Sequence, residues 1–367
     1  MDQDQPGEEM FAGDARAGGR DLRRVGAHPD HWYPVAWSKA LKAGGKLAVR
    51  FAGEPILLVR PKAGPVFALE DRCAHRQVPL SRGVVDGCAV RCGYHGWTYD
   101  AAGQCIDVPY LGRGKLPNGV RAYPCREVHG LILLFPGDPA RAGQVPVPGL
   151  GSVADASYRT RRFGREVGCH YSFMHENLMD MNHQFLHRRQ MGQMRARLLG
   201  RACGPDWAEA RYTFARTAGK QPIGEALIFS RKRERPEAAA AGEVMTIRTE
   251  YPYQTLRIRT GTGDPVMDLW IAYVPLDRAQ RTNRTFGLLS VKRPRLGFLL
   301  DAAWPLLVLF TERIFREDRD IVEAEQAAHD AQGGDWNQEV FPVIRDLRAV
   351  LMACGTAGDT PAGVAAC

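Results

Sequence analysis

Two short runs of the chain carry residue types that bind metals. The first reads CAHRQVPLSRGVVDGCAVRCGYHGW and holds Cys73-x-His75, then sixteen residues, then Cys92-x-x-His95. The second, from Glu176 to Gln190, reads ENLMDMNHQFLHRRQ and holds Asn177, Asp180, His183 and His187. Two thiolates and two imidazoles can hold tetrahedral Zn²⁺, or a [2Fe–2S] cluster in which two His replace two Cys on one iron. In the cluster, neutral imidazoles remove negative charge and raise the reduction potential to roughly −150 to +300 mV. Spacing alone leaves both open. Gly93 and Gly96 bracket Tyr94 and His95, and glycine lets a backbone pass close to sulfides and donate N–H bonds to them.

In the second run, a helix with about 100° per residue puts Asn177, Asp180, His183 and His187 within about a third of its circumference. His183 and His187 are then one turn apart, the spacing that lets two imidazoles bind one metal. Zinc proteases with this pair place a glutamate after the first histidine as general base. Here Gln184 stands there, and it cannot take a proton at neutral pH. Structural histidines are the default for one His alone, but not for two in register with an Asp on the same face. The favoured chemistry is a 2-His-1-carboxylate site that holds Fe(II) and leaves positions free for O₂. Its carboxylate comes from elsewhere in the chain.

At Cys-x-His…Cys-x-x-His-Gly the sequence closely resembles the Rieske domain, and Asn-x-x-Asp-x-x-His-x-x-x-His resembles the catalytic motif of Rieske non-heme iron oxygenase α subunits. The resemblance implies that Cys73, His75, Cys92 and His95 hold a [2Fe–2S] Rieske cluster. It implies that His183 and His187 bind a mononuclear Fe(II), with Asn177 beside the metal. Asp180 would bridge to a Rieske histidine of the neighbouring subunit. The third iron ligand would be Asp318 in FREDRDIVEAEQ, with Glu317 and Asp320 as near alternatives. Many members have four residues between the two histidines; this chain has three, as the carbazole dioxygenase type does, which tells slightly against the vanillate and dicamba demethylase type. Cys88, Cys105, Cys125, Cys169, Cys203, Cys354 and Cys367 have no ligand spacing and are read as structural or surface residues.

The elements that must position these groups are partly legible. Short β-like runs between Lys46 and Leu69, divided by Gly and Pro, predict a small antiparallel β domain. The pattern resumes at Trp97–Tyr99 and at Leu131–Phe135. A Pro- and Gly-rich segment from Pro136 to Ser152 predicts a linker. Ser172 to Leu186 reads as one helix. Strands are expected at Thr246–Tyr251, Thr255–Arg259, Leu269–Val274 and Thr285–Val291, and a small-residue loop at Glu237–Gly242. Pro305 to Leu351 reads as helical, interrupted at Gly333-Gly334. The expected class is α+β: an antiparallel β Rieske domain over 30–145, then an α+β catalytic domain over 146–355 whose antiparallel sheet is flanked by helices. Residues 1–29 are expected to be a mobile tail, and 356–367 to fray.

The chain's 367 residues suffice for two such domains, and its net charge is +8. Arg188-Arg189 and Arg231-Lys232-Arg233 are basic clusters without interleaved aromatics, so nucleic acid is not an expected partner; an acidic electron donor is. No signal peptide is read at the N-terminus, and the twin Arg23-Arg24 is followed by no apolar run. Leu296–Phe310 is broken by Asp301 and Pro305 and is shorter than the roughly 20 residues of a bilayer span. It reads as a buried or partly buried helix that could also meet a membrane surface or a lipophilic substrate. An odd count of nine cysteines speaks for metal sites over disulfides. A cytoplasmic location follows.

Taken together, the resemblance implies the terminal oxygenase of a multicomponent system. Electrons from NAD(P)H would arrive through a separate reductase or ferredoxin, enter the cluster, and cross near Asp180 to the iron. There O₂ would hydroxylate, dihydroxylate or demethylate a small apolar organic substrate, aromatic in the family's common case and so tied to aromatic compound catabolism. It also implies a head-to-tail homotrimer. The competing functions are a Rieske-type electron-transfer protein without the second site, and a zinc-stabilised interaction module.

Overall fold

The structure, a computed structural model, describes residues 21–113, 116, 118–218, 243–261 and 263–357. Every strand pairing within its sheets is antiparallel. Two small sheets and a third strip form the N-terminal part. A four-stranded sheet runs in the order Ala122–Tyr123, Phe67–Glu70, Glu54–Arg60, Gly45–Phe51. A five-stranded sheet runs Gly112–Arg113, Cys105–Val108, Thr98–Tyr99, Ala89–Arg91, Val84–Asp86. Leu57, Val59, Leu69, Val90 and Tyr99 fill the space between them, each fully buried. Three strands, Cys125–Val128, Leu131–Leu134 and Tyr33–Trp37, complete this part.

The C-terminal part is built on one large sheet. Its order is Tyr158–Phe163, Asn283–Lys292, Met267–Pro275, Tyr253–Thr260, Glu243–Glu250, Trp207–Ala218, Gln193–Cys203, with Glu166–Val167 also pairing on Asn283–Lys292. In Tyr253–Thr260 alternate residues Gln254, Leu256 and Ile258 are buried, the period-two signature of a half-covered strand. The helices are α1 (Gly151–Ala154), α2 (Tyr171–Met179), α3 (Arg188–Met191), α4 (Gly297–Gln332) and α5 (Pro342–Cys354). In α5, Val343, Ile344, Leu347, Val350 and Leu351 form one buried stripe, each stabilising by about 1.5–3 kcal/mol relative to exposure. Pro342 opens α5 at a position where no N–H is needed. The 36-residue α4 ends where Gly333 turns left-handed at φ 73°, within the expected Gly333-Gly334 break. α4 starts at Gly297, ahead of the expected Pro305, because Pro305 is accommodated inside the helix.

The two parts meet through backbone as well as core. The turn after Gly45–Phe51 donates Ala52 N–H to the Pro275 carbonyl and Gly53 N–H to that of Leu276, at 2.8 and 2.9 Å. Gly53 has φ 87°, and a Cβ there would lie 2.9 Å from Arg278 N. Only glycine satisfies both the conformation and the approach.

Three expectations need correction. The chain is not a tail up to residue 29: Leu22–Arg24 forms a 3₁₀ turn, and Val25–Gly26 pairs with Thr356–Ala357. The same pairing orders the first two residues of the expected C-terminal fray; the rest of that tail, residues 1–20, the Glu237–Gly242 loop and the Arg231-Lys232-Arg233 cluster lie outside the described residues. Finally, Ser172–Leu186 is not one helix. α2 stops at Asp180, whose backbone is extended, and a 3₁₀ stretch from Met181 to Phe185 follows.

The first correction has a buried ion network among its physical causes. The Arg23 guanidinium is buried, bonded to Glu176 and to Ser172 Oγ, and lies 3.6 Å over the Phe173 ring. Glu176 also meets Arg348 Nε at 3.4 Å. The ion network thus ties the start of the described chain to α2 and α5, a long-range pairing that composition does not reveal. Arg23→Ala is expected to destabilise the fold by about 3 kcal/mol, because it leaves a buried carboxylate short of a partner. Chemical denaturation measures this. A loss below about 0.5 kcal/mol, ordinary for surface substitutions, would show that the network is not structural.

Candidate metal centres

The first constellation sits on two loops at one end of the paired small sheets. One loop leaves Phe67–Glu70 and is closed by Cys73 N–H donating to the Val78 carbonyl and Gln77 N–H to that of Cys73, both at 2.9 Å. The other joins Ala89–Arg91 to Thr98–Tyr99 and is closed by Cys92 N–H on the Trp97 carbonyl at 2.8 Å. Gly96, at φ 72°, completes it, and a Cβ there would press on Pro109. Cys73 and Cys92 are buried while His75 and His95 are partly exposed. The two imidazole rings lie 4.6 Å apart, and His75 stacks on Trp97 at 4.8 Å. Burial pushes the Cys92 thiol up, and Cys73 beside it adds to that. Tyr99 accepts Ala74 N–H at 3.0 Å, so its hydroxyl proton is free to point at Cys73 Sγ, 3.2 Å away. His75 Nδ1 is buried and makes no hydrogen bond. Two buried sulfurs and two histidines, one with an unpaired buried ring nitrogen, fit a two-iron cluster.

The second constellation depends on the break after α2. Asp180 caps the following 3₁₀ turn by accepting Asn182 N–H at 2.9 Å, an ordinary role for aspartate. Its carbonyl lies 2.5 Å from His183 Nδ1. His187 Nδ1 lies 2.8 Å from Glu317 Oε2. Each imidazole therefore spends Nδ1–H on an oxygen and presents Nε2 to the same space, the arrangement that orients metal-binding histidines. Asp318, one residue along α4 from Glu317, fills the third side. Its Oδ1 is 3.1 Å from His187 Nε2 and 3.7 Å from His183 Nε2. One ligand atom from each of the three lies within 4.8 Å of the others. His187 Nε2 and Asp318 Oδ1 are buried without hydrogen-bond partners. Burial favours the neutral His187 ring, but Asp318 and Glu317 outweigh it and raise the pKa. A divalent metal would meet the same demand, with loss of that proton.

Of the alternatives, Glu317 is turned to the far side of His187, and Asp320 pairs with Arg319 at 3.1 Å. Asn177 does not touch the histidines in a recorded bond but lines, with Asp318, a cavity of about 320 Å³. Met174, Leu178, Leu269, Ile271 and Phe315 give it an apolar wall. At its rim Glu312 is held between Arg161 and Arg165. Thr285 also lines the cavity, buried, with its hydroxyl unpaired. Sequence reasoning missed Glu317 as a histidine partner and missed Tyr99 and Trp97 as neighbours of the first centre. An acid beside a candidate ligand, and aromatics just past the second Cys/His pair, were the available signals.

Residues 31–124 match the Rieske [2Fe-2S] domain, and residues 167–343 match the vanillate O-demethylase oxygenase C-terminal domain. The second match corrects the inference drawn from the three-residue gap between the histidines: it does not separate this chain from the demethylase type. The chain is 34% identical over 348 residues to 4beta-methylsterol monooxygenase of Methylococcus capsulatus, covering 91% of this chain and 90% of that protein. It is 38% identical over 160 residues to the oxygenase component of dicamba O-demethylase from Stenotrophomonas maltophilia, spanning 43% of this chain and 47% of the other. Among solved structures, dicamba monooxygenase bound to dicamba aligns with a TM-score of 0.71 at 23% identity, over 91% of this chain and 98% of that one. The terminal oxygenase of carbazole 1,9a-dioxygenase from Nocardioides aromaticivorans aligns at 0.66 and 22%, over 91% and 95%.

Glu317→Gln keeps an acceptor for His187 Nδ1–H but removes its charge. It is expected to weaken iron binding by about 10-fold while leaving the cluster's visible spectrum unchanged. Competition with a chelator, followed by iron and sulfide counts, measures both. Unchanged iron affinity would mean that Glu317 does not support His187.

Proposed function

This chain belongs to the terminal components of the Rieske oxygenases, and from that premise we propose that it oxygenates a bulky apolar molecule, with a methyl-bearing polycycle of the methylsterol kind as the best candidate. The observation that carries the reading is the similarity to 4beta-methylsterol monooxygenase over nine-tenths of both chains. A cavity with an apolar wall of Met174, Leu178, Leu269, Ile271 and Phe315 that reaches Asp318 and Asn177 supports it. The second reading is demethylation of a smaller aromatic substrate, favoured by the likeness to dicamba O-demethylase. The two readings share their residues.

Cys73, His75, Cys92 and His95 would hold the [2Fe–2S] cluster, and His183, His187 and Asp318 the mononuclear Fe(II). When bound, the cluster supplies one-electron storage and the iron supplies activation of O₂. In the monooxygenase case, two electrons from NAD(P)H, relayed by a reductase or ferredoxin, and two protons balance the reaction. One oxygen atom enters a C–H bond and the other leaves as water.

The chain's own residues orient and exclude. Asp180 and Glu317 hold the Nδ1 sides of the two histidines, which keeps Nε2 directed inward. Met174, Leu178, Leu269 and Ile271 exclude water and accept apolar surface. Thr285 offers its unpaired hydroxyl to a polar group on the substrate, and Asn177, on the cavity wall with Asp318, would lie beside the metal. The imidazole side of the first centre faces outward while its sulfur side is buried, so His75 and His95 form the edge through which another protein is met. Asp180, half-exposed, would bridge to that edge on a neighbouring subunit in a head-to-tail trimer, a heterologous ring that closes at three copies. The setting we propose is cytoplasmic.

The test is turnover by iron-loaded protein with a reductase, NAD(P)H and a panel of 4-methylsterols and aromatic methyl ethers. Product with the sterols and not with the ethers supports the first reading, and the reverse supports the second. Product with neither, at full iron and sulfide content, would sink both.

Asp180→Asn tests the route between subunits. Asparagine keeps the backbone carbonyl that His183 uses and an oxygen for Asn182 N–H. Both metals are expected to stay bound while coupled turnover falls by about 100-fold or more. Normal turnover would refute the bridging role.

A further inference from the structure

The N-terminal half of α4 is apolar on the outside as well as the inside. Leu300 and Leu307 face the core. Leu296, Phe298, Leu299, Leu306 and Leu309 are each 49% or more exposed. At about 100° per residue, Phe298, Ala302, Pro305 and Leu309 share one outward stripe about 80° wide, and Arg313 and Arg316 continue it. The same stripe therefore changes from apolar to cationic within one turn. Single exposed leucines are ordinary on a protein surface; five large apolar residues exposed on one helix within four turns, with Ala302 and Pro305 between them, mark a contact face.

Charge decides what kind of contact. The one acid in the apolar stretch, Asp301, is paired with both Arg159 and Arg293, and Arg159 also lies over Trp304 at 4.4 Å. Lys292, Arg293 and Arg295 come just before the stretch, and Arg295, Arg313 and Arg316 stand exposed. An apolar plate with cations at both ends is the make-up of a helix that lies in the headgroup boundary of an anionic bilayer. Leu296–Phe310 is only about 22 Å long as a helix, short of the roughly 30 Å hydrocarbon core. No helix among the described residues is long and apolar enough to cross a membrane. One to two turns beyond Leu309, Glu312 and Phe315 line the substrate cavity.

We propose that this face of α4 rests on an anionic lipid surface, which supplies the apolar substrate to the cavity beside it. The inference takes its substrate class from the reading above, but its test needs no turnover, so the two fail separately. The iron- and cluster-loaded full chain is sedimented with vesicles of phosphatidylcholine alone and with phosphatidylglycerol as about a third of the lipid. Binding to the anionic vesicles is expected, falling as salt rises. Phe298→Glu combined with Leu309→Glu should cut it by about 10-fold or more, and so should Arg295→Glu combined with Arg313→Glu. Both variants should keep the visible spectrum and assembly mass of the parent. Absence of vesicle binding by the parent would overturn the proposal, and equal binding to uncharged vesicles would overturn its anionic form. A smaller assembly mass in the Phe298/Leu309 variant would overturn it by assigning the face to a second copy of the chain.

Discussion

Asp318 Oδ1 and His187 Nε2 face each other at 3.1 Å, both buried and neither hydrogen-bonded. Burying two such atoms without partners costs free energy that a protein rarely leaves uncompensated. A cation between them, shared with His183, would remove the cost. Several bonds outside the site hold its two supporting elements in place. Arg23 and Arg348 anchor α2 through Glu176. Tyr212 donates to the Met179 carbonyl at 3.1 Å, and Gln254 to that of His175 at 3.0 Å, so the large sheet holds the helix end just before the break. On the other side, Gln326 and Glu323 of α4 accept N–H from His170 and Gly168 at 2.8 and 2.9 Å. The facing groups are kept in register by bonds outside the site.

The first centre solves a different problem. It must be stable yet exchange electrons with another molecule. Its cysteines belong to a fully buried core between two sheets, while its histidines stand nearer the surface. Burial protects the sulfur side from solvent, and the exposed ring edges shorten the path to a partner. Tyr99 and Trp97, on the hairpin that carries Cys92 and His95, reach across to Cys73 and His75 on the other loop, so the contact that surrounds one pair is placed by the element that bears the other.

Between the two large elements of the C-terminal part lies the cavity. The sheet contributes Leu269, Ile271, Tyr273 and Thr285, the edge strand and turn from Arg161 to Val167 contribute another side, and α2 and α4 contribute the remainder with the candidate metal ligand. α4 thus does three things along one length: an apolar outward face at its start, a cavity wall in its middle, and anchoring bonds to the strand–helix junction near its end. Its continuity across Pro305 couples these positions mechanically.

The Cys/His pairs were readable in the sequence because loop-borne ligands keep local spacing whatever the rest of the chain does. Four strands of the large sheet, Glu243–Glu250, Tyr253–Thr260, Met267–Pro275 and Asn283–Lys292, were readable within a few residues from their apolar and β-branched runs; Tyr158–Phe163, Gln193–Cys203 and Trp207–Ala218 were not, because arginines interrupt their apolar pattern. The helix from Ser172 was read too long. Asp180 is compatible with a helical pattern, but its side chain caps Asn182 N–H and its carbonyl meets His183, two local bonds that favour ending the helix there. The packing of residues 21–26 was not readable, because it rests on Arg23 reaching a glutamate more than a hundred residues away. The amino-acid order by itself determined the ligand types, their pairing along the chain and the division into a small β part and a larger α+β part. Tertiary structure alone decided which acid of Glu317, Asp318 and Asp320 faces the histidines. The three lie within four consecutive positions of a single helix, and the rotation of that helix is set by its packing against the sheet and α2.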